Sequence, residues 1–194
     1  GFRGEALAAI AEAARLEVVT SSGDGVGTRV VVDGTADRGN RSSASDSTDG
    51  VSVEPAGRAR GTTVLVEDLF ATRPARRESL AGANAEFARI SSLVADYALA
   101  NPSVAFTLDH DGSTTLSTPG TDRTDALLGV YDRDTASRST TVAASVDAPP
   151  GGEGDADAVG VEVSATLAYP SITRSSRDHV RVSVNGRPVR NDRL

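Results

Sequence analysis

The 194-residue sequence contains no cysteine, methionine or tryptophan, and all 20 of its basic residues are arginine. Without cysteine, the chain can form neither a disulfide framework nor a thiolate metal site. No apolar run approaches the roughly 20 residues that a membrane-spanning helix needs, and no segment resembles a signal peptide. We therefore expect a cytoplasmic protein with no membrane partner.

Aromatic residues make up only 4% of the chain, and the net charge is −7. This acidic excess, together with many small residues, predicts a well-solvated surface, and we hypothesise a halophilic source. A GC-rich genome would explain arginine in place of lysine, but explains the acidity less well. An acidic chain is a poor non-specific ligand for nucleic acid, so any DNA contact must come from a local basic patch.

The most informative stretch is residues 1–7, which read GFRGEAL and lead into an alanine-rich helical pattern up to residue 14. Glycines before a helix let the backbone approach a ligand closely, and the first turn of a helix offers unpaired N–H groups to an anion. Arg3 adds a charge whose geometry suits phosphate. These features predict a phosphate-binding lid, although the glycine spacing alone fits an ordinary junction between a loop and a helix equally well.

Hydrophobic periodicity predicts a mixture of helices and short strands, hence an α+β fold. The helices are expected at 5–14, 74–80, 84–100 and 122–129, with Thr72 and Asn84 as caps of the second and third. The third helix carries an apolar stripe of Phe87, Ile90, Val94 and Tyr97. The strands are expected at 16–21, 28–33, 51–54, 62–66 (as a buried strand), 104–108, 114–117, 140–146, 161–169 and 180–184.

Two further segments carry specific patterns: 61–77 (GTTVLVEDLFATRPARR) and 184–190 (VNGRPVR). With GFRGEAL, they resemble in order and rough spacing three motifs of the MutL family of DNA mismatch repair ATPases, which are built on the GHKL (Bergerat) fold. The resemblance implies that residues 1–102 form the C-terminal part of a GHKL ATP-binding α/β sandwich. It implies that residues 103–194 form the start of an α+β transducer domain, with the boundary at Asn101-Pro102.

The same resemblance implies which residues of this chain bind ATP. The triphosphate would be held by the four residues that open the chain, Gly1, Phe2, Arg3 and Gly4. Thr62, rather than Thr63, would lie near the adenine, although from the residues alone this stretch is better read as a turn and a strand start. The catalytic glutamate and the asparagine that binds Mg²⁺ are expected upstream, and a lysine that reaches ATP beyond residue 194. We therefore assign no catalytic or metal-binding residue within the chain.

The region 171–194 contains six arginines and two aspartates, a local net charge of +4 in an acidic chain. Arginines on a turn and at a helix start are well placed for phosphates. The resemblance implies that Arg187, Arg190 and Arg193 contact DNA. The alternative is an arginine-rich surface balanced by the acidic loop at 147–157.

The basic segment 72–77 admits a phosphate-binding and a structural interpretation, and we prefer the structural one. In that interpretation its arginines pair with nearby acids such as Glu67, Asp68 and Glu78. The two histidines, His110 and His179, have no metal-ligand or nucleophile spacing and are expected to be plain surface residues.

Taken with the family resemblance, the sequence predicts part of an ATPase that acts as an ATP-switched DNA clamp and links mismatch recognition to downstream repair. The expected cofactors are ATP and Mg²⁺. The expected partners are DNA, a MutS-type mismatch recognition protein and a second copy of the chain. Two alternatives stay open: another GHKL ATPase such as a type II topoisomerase subunit or an Hsp90-like chaperone, and a non-enzymatic α+β module that binds nucleic acid regardless of ATP.

Overall fold

The computed structural model describes residues 5–35, 50–148, 159–173, 175 and 179–189. Contacts between Cα atoms divide the chain into two compact units, Gly1–Ala81 and Gly82–Leu194. The long helix before residue 101 thus groups with the second unit. The predicted boundary between the two family domains, at residues 102 and 103, is not defined by these contacts and stays a prediction.

The first unit combines two helices with one antiparallel sheet, as the periodicity predicts. The helices are α1 (Glu5–Ala11) and α2 (Pro74–Glu78). The strands are β1 (Arg15–Ser21), β2 (Gly27–Asp33), β3 (Val51–Ala56) and β4 (Gly61–Glu67), in the spatial order β3-β2-β1-β4. The predicted turn between β1 and β2 is confirmed, with Gly23 at a φ of 97°.

Helix α1 ends at Ala11, three residues earlier than predicted. The next residues turn into β1, and Ala13 and Ala14 are buried together with Leu16. The reason for the early end is a close approach of the chain: Gly34 donates its N–H to the Ala14 carbonyl at 3.1 Å. A Cβ atom at position 34 would lie 1.9 Å from the Ala11 carbonyl oxygen, so only glycine fits there.

The prediction of a buried strand at 62–66 was half right. Strand β4 is present, but Val64, Leu65 and Val66 are 49%, 44% and 41% exposed. In the described residues β4 pairs with β1 alone and is therefore an edge strand. The described residues cover the apolar side chains of β4 only in part.

The second unit is built from the long helix α3 (Ala83–Ala100), three antiparallel hairpins and two short helices. The hairpins are β5–β6 (Ala105–His110 and Ser113–Pro119), β7–β8 (Ser139–Ala148 and Val159–Ala168) and β9–β10 (Val182–Val184 and Arg187–Val189). The short helices are α4 (Arg123–Val130) and α5 (Arg133–Ser137). A small core joins Leu99 of α3 to Ala126 and Leu127 of α4. These helices and antiparallel sheets confirm the predicted α+β class.

Helix α3 buries a face that differs in part from the predicted one. The residues that are buried are Ala95, Ala98 and Leu99, whereas Ile90 and Tyr97 are 48% and 39% exposed. The buried face of α3 is the one that carries these two alanines and Leu99, and Leu99 packs against Ala126 and Leu127 of α4. Phe87 and Val94 of the predicted stripe are half-buried, so the stripe coincides only in part with the buried face.

Two predicted helix caps were wrong. Helix α3 begins at Ala83, with the Gly82 carbonyl accepting from the helical N–H groups at 85 and 86, so Asn84 lies inside its first turn. Helix α2 has Arg73 at its cap position, without a side-chain cap hydrogen bond, and Thr72 lies outside. Helix α5, which was not predicted, is capped by Asp132, whose carboxylate accepts from the Thr135 N–H at 2.6 Å.

Candidate functional site

The predicted lid falls at the edge of what the structure describes. Gly1, Phe2, Arg3 and Gly4 lie outside the described residues. Glu5 is the first residue of α1 and is exposed. A carboxylate in the first turn interacts favourably with the helix dipole.

The C-terminal end of α1 contacts the 68–73 segment, which is part of the 61–77 motif. Beyond the helix, the Ala13 carbonyl accepts from the Phe70 N–H at 2.8 Å, and the Glu12 carbonyl accepts from Arg73 Nη2 at 3.0 Å. Phe70 adopts a positive φ of 62°, which turns the chain back toward this helix end. The 68–73 segment therefore fixes the end of the helix that begins with the lid motif.

These contacts favour the structural interpretation of the basic segment, but with other partners than predicted. Arg73 faces Glu12, with its Nη2 4.0 Å from that carboxylate, and not Glu67, Asp68 or Glu78. Arg76 lies over the ring of Phe70 at 6.0 Å from the centroid, which suits a cation–π contact.

Strand register places Thr62 on the apolar face of the sheet. Thr62 pairs with Thr20, and Val64 and Val66 pair with Val18 and Leu16. Because side chains alternate along a strand, these six residues share one face. The Oγ1 atoms of Thr20 and Thr62 lie 2.8 Å apart and form an exposed pair of hydroxyls on a face that also carries Thr28 and aliphatic side chains.

The opposite face of the sheet, called the polar face below, carries Thr63 and several charged side chains, together with Val19, Val31 and Leu65. Arg58 donates to the Thr63 hydroxyl, which this contact occupies. On the same face Arg29 forms a two-pronged hydrogen bond with Glu17 at 2.8 and 2.7 Å, and Glu54 lies 3.5 Å from its Nη1. The hydrogen bonds from Arg29 hold the pKa of Glu17 below its ordinary value. The Thr63 hydroxyl thus lies among charged groups, whereas the Thr62 hydroxyl lies on the opposite face of the sheet.

The second predicted site begins with Arg187, the first residue of β10. A two-residue turn, Asn185-Gly186, precedes it, with φ values of 50° and 73° that match the predicted tight turn. Arg187 is exposed. Arg190 and Arg193 lie outside the described residues, so the grouping of the three predicted DNA-binding arginines stays a prediction.

One arginine of the basic region has an internal role. Arg181 Nε donates to the Tyr131 hydroxyl at 3.0 Å, and its Nη1 donates to the Ser92 carbonyl at 3.2 Å and forms an ion pair with Asp96. Its side chain is only 20% exposed. The local positive charge counted from the sequence is therefore partly neutralised inside the unit.

Three residues with informative contacts were missed at the level of sequence. They are Thr20, Asn101 and Arg181. The partners of Thr20, Asn101 and Arg181 are 42, 85 and 85 residues distant along the chain, so no local pattern points to them. The one local feature at these positions is that β1 ends with two hydroxyl residues, Thr20 and Ser21, but this does not reveal the partner of Thr20.

The histidines and possible metal ligands are consistent with ordinary surface roles. His110 stacks on Phe87 with ring centroids 3.8 Å apart, and His179 lies near the ring of Tyr131. Within the described ranges, no cluster of three or more histidine, aspartate or glutamate side chains could hold a metal ion. None of the helices in this part of the chain combines the length and apolarity needed to span a bilayer.

Comparison with known proteins identifies the family. The chain is 43% identical over 193 residues to the DNA mismatch repair protein MutL of Halobacterium salinarum, covering 97% of this chain and 26% of the relative. The MutL proteins of Sphingopyxis alaskensis and Geobacillus thermodenitrificans are 38% and 34% identical over 100% and 98% of the chain, which covers 28% and 26% of their lengths. The chain belongs to the MutL family. It spans about a quarter of the length of these curated relatives.

Solved structures show the same fold. The N-terminal domain of a DNA repair protein matches 98% of this MutL-family chain with a TM-score of 0.75 and 23% identity, over 56% of its own length. The Aquifex aeolicus MutL ATPase domain complexed with ADP also matches 98%, with a TM-score of 0.68 and 21% identity, over 64% of its length. No model of a protein family matches the chain. The chain thus has the fold of part of these domains.

Proposed function

We propose that this chain is part of an ATP-dependent DNA mismatch repair protein that works as an ATP-switched DNA clamp. The observation that carries the proposal is 43% identity, over 97% of the chain, to a MutL mismatch repair protein. The fold likeness to a MutL ATPase domain complexed with ADP agrees with nucleotide binding. A halophilic source is supported by the acidic composition and by the similarity to a Halobacterium protein.

The described residues fit a nucleotide at one point, the apolar face of the sheet. There the exposed hydroxyl of Thr62 lies beside that of Thr20, next to valines that offer a flat aliphatic surface. A hydroxyl both donates and accepts hydrogen bonds, and so can meet the edge of a base or a bridging water. The polar face offers no such combination, because its charged groups pair with one another.

In the proposed switch, Gly1 and Gly4 let the backbone approach the phosphates, while Arg3 supplies a positive charge. Bound MgATP would supply the phosphate bond whose hydrolysis resets the switch. Glu12 and Ala13, which follow α1, are held by hydrogen bonds from the 68–73 segment, so the ordering of the lid residues would act on a helix whose far end is fixed. The catalytic glutamate and the ligand of Mg²⁺ are proposed to lie outside this chain.

The remaining elements of the proposal concern partners. DNA would meet Arg187, with Arg190 and Arg193 beside it. A second copy of the protein would associate through the ATP-bound N-terminal half, and a MutS-type protein would signal the mismatch. This arrangement suits slow turnover, because a switch needs two long-lived states.

The first test is MgATP hydrolysis by the full-length protein at high KCl, with and without DNA. We expect Gly4→Val to abolish nucleotide binding, because a branched side chain blocks close approach of the backbone. Thr62→Val should weaken nucleotide binding about 3- to 10-fold, the loss expected for one neutral hydrogen bond.

The matched control is Thr63→Val, the same substitution one residue along the same strand on the polar face. It should leave nucleotide affinity unchanged. DNA binding without any nucleotide binding would contradict the proposal and favour a non-enzymatic nucleic-acid-binding module. Equal effects of the two threonine variants would contradict the nucleotide contact proposed for Thr62, but would leave the proposed ATPase activity unaffected.

A further inference from the structure

The hairpin that carries Arg187 is too small to hold its own position. Strands β9 and β10 have three residues each, joined by the turn at Asn185-Gly186. An isolated two-stranded hairpin is marginally stable at best in water. The direction in which Arg187 leaves the hairpin must therefore depend on contacts with other elements.

One contact reaches the turn itself. Asn101, the C-cap residue directly after α3, donates from Nδ2 to the Gly186 carbonyl at 2.8 Å. The same Nδ2 donates to the Tyr97 carbonyl at 3.0 Å. An amide NH₂ group has two hydrogens, so these two bonds use its full donor capacity and fix the side chain between helix and turn.

The carbonyl that Asn101 holds belongs to the peptide unit that joins Gly186 to Arg187. Because a peptide unit is planar, fixing its oxygen also fixes the direction of the next N–H and Cα. The fit is tight, since a Cβ atom at position 186 would lie 2.5 Å from Asn101 Oδ1. The contact thus acts directly on the backbone from which the Arg187 side chain departs.

A second anchor holds the other end of the hairpin to the same helix. Arg181, which precedes β9, is bound to the Ser92 carbonyl and to Asp96, both on α3. The hairpin is therefore attached to α3 at its entry and at its turn. Between two fixed points, a short hairpin keeps one orientation.

We propose that Asn101 is a positioning residue that orients Arg187 for contact with a nucleic-acid phosphate. The inference rests on the DNA contact proposed above for Arg187. If the backbone that carries Arg187 is mobile, the free-energy cost of ordering it outweighs one phosphate contact, so the arginine stays solvated in the complex and displaces no counterion. A preoriented arginine makes the phosphate contact without that cost.

The test is the salt dependence of DNA binding by the full-length protein, measured with a fluorescent duplex over a series of KCl concentrations. Each phosphate contact contributes about 0.9 to the slope of log K against log salt concentration. We expect Arg187→Ala to lower the slope by about 0.9. Asn101→Ala should lower it by a similar amount although it removes no charge, and the double variant should lose no more than Arg187→Ala alone.

The matched control is Arg123→Ala. Arg123 also donates to a carbonyl near the C-terminal end of α3, that of Leu99 at 2.9 Å, but it makes no contact with the hairpin in the described structure. Its effect on DNA affinity should add to that of Arg187→Ala. The same non-additivity for Arg123→Ala would show that fraying of the helix end is responsible, and would overturn the positioning role.

The outcomes separate the two proposals. An unchanged slope in Arg187→Ala would overturn the DNA contact itself. A lower slope in Arg187→Ala together with an unchanged slope in Asn101→Ala would overturn only the role of Asn101. If Asn101→Ala does not fold, Asn101→Asp can replace it, because aspartate keeps the shape of the side chain but removes the N–H donor. Asn84→Asp, on helix α3, controls for the added negative charge. Equal slopes for Asn101→Asp and Asn84→Asp would overturn the positioning role of Asn101.

Discussion

Replacing Arg73 by alanine should loosen the end of the helix that begins with the lid motif. The guanidinium donates to the Glu12 carbonyl at 3.0 Å and lies 4.0 Å from the Glu12 carboxylate. A hydrogen bond from a charged group contributes about 1.5–3 kcal/mol. Because the Arg73 side chain is 37% exposed and that of Glu12 69%, we discount this to about 1 kcal/mol for solvent screening.

The assay is native-state hydrogen exchange of the Phe70 amide, which donates to the neighbouring Ala13 carbonyl at 2.8 Å. A loss of about 1 kcal/mol in local stability corresponds to roughly 5-fold faster exchange. The matched control is Arg77→Ala, which removes the same charge from exposed helix α2, one turn further on. Equal exchange rates in the two variants, or no change in Arg73→Ala, would refute the anchoring role.

Three more predictions follow from the same structure. Arg29 holds the pKa of Glu17 below its ordinary value, so the folded state binds fewer protons at this carboxylate than the unfolded state, and the protein gains stability as pH rises through the acid range. Glu17→Gln should remove this contribution, so the denaturation midpoint, measured between pH 3 and 6, should change less with pH in the variant. Gly120→Ala should destabilise by more than about 2 kcal/mol in urea unfolding, whereas Gly112→Ala, at the same φ of 75° but in open space, should cost only about 1 kcal/mol, because a Cβ atom at 120 would lie 2.4 Å from the Ala105 nitrogen. With a net charge of −7, the melting temperature should rise with KCl in a thermal scan, and full stability in dilute buffer would contradict the halophile hypothesis.

The elements of the fold could be predicted from local pattern where alternation or turn residues were clear. Strands β1, β2 and β6 and the turns at Gly23 and Gly186 fall where glycine and β-branched residues put them. These signals are local because side-chain alternation and positive φ are properties of a few neighbouring residues.

Burial could not be predicted in the same way. The large apolar residues of α3 suggested one face, but burial depends on which side of the helix other elements cover, and the residues that they bury are Ala95, Ala98 and Leu99. Likewise, Val64 and Val66 have the composition of a buried strand, yet lie half exposed at the edge of the sheet. Hydrophobicity predicts that a residue prefers burial, and not which neighbour provides it.

The site residues named from the sequence stay predictions, and the structure adds to them at one position. Thr62 was preferred over Thr63 from the family resemblance, and the register of β4 against β1 now gives a physical reason, since the two residues face opposite surfaces. Its neighbour Thr20 was missed because the contact spans 42 residues. Pairing across a sheet depends on register, which a single sequence specifies only weakly at the level of one residue.

In both units, residues at or just beyond the end of a helix are hydrogen-bonded to a segment that is distant in the sequence. After α1 the carbonyls of Glu12 and Ala13 hold the 68–73 segment. At the end of α3 the Tyr97 carbonyl holds Asn101, whose other hydrogen reaches the turn before Arg187. The last carbonyls of a helix lack intrahelical partners and carry the negative end of the dipole, so they are strong acceptors that must be satisfied. In the first unit, the same hydrogen bonds satisfy the carbonyls of Glu12 and Ala13 and fix the 68–73 segment. In the second unit, the Asn101 side chain links the helix end to the turn before Arg187. Single substitutions at Arg73 and Asn101 are therefore expected to act on sites that they do not themselves form.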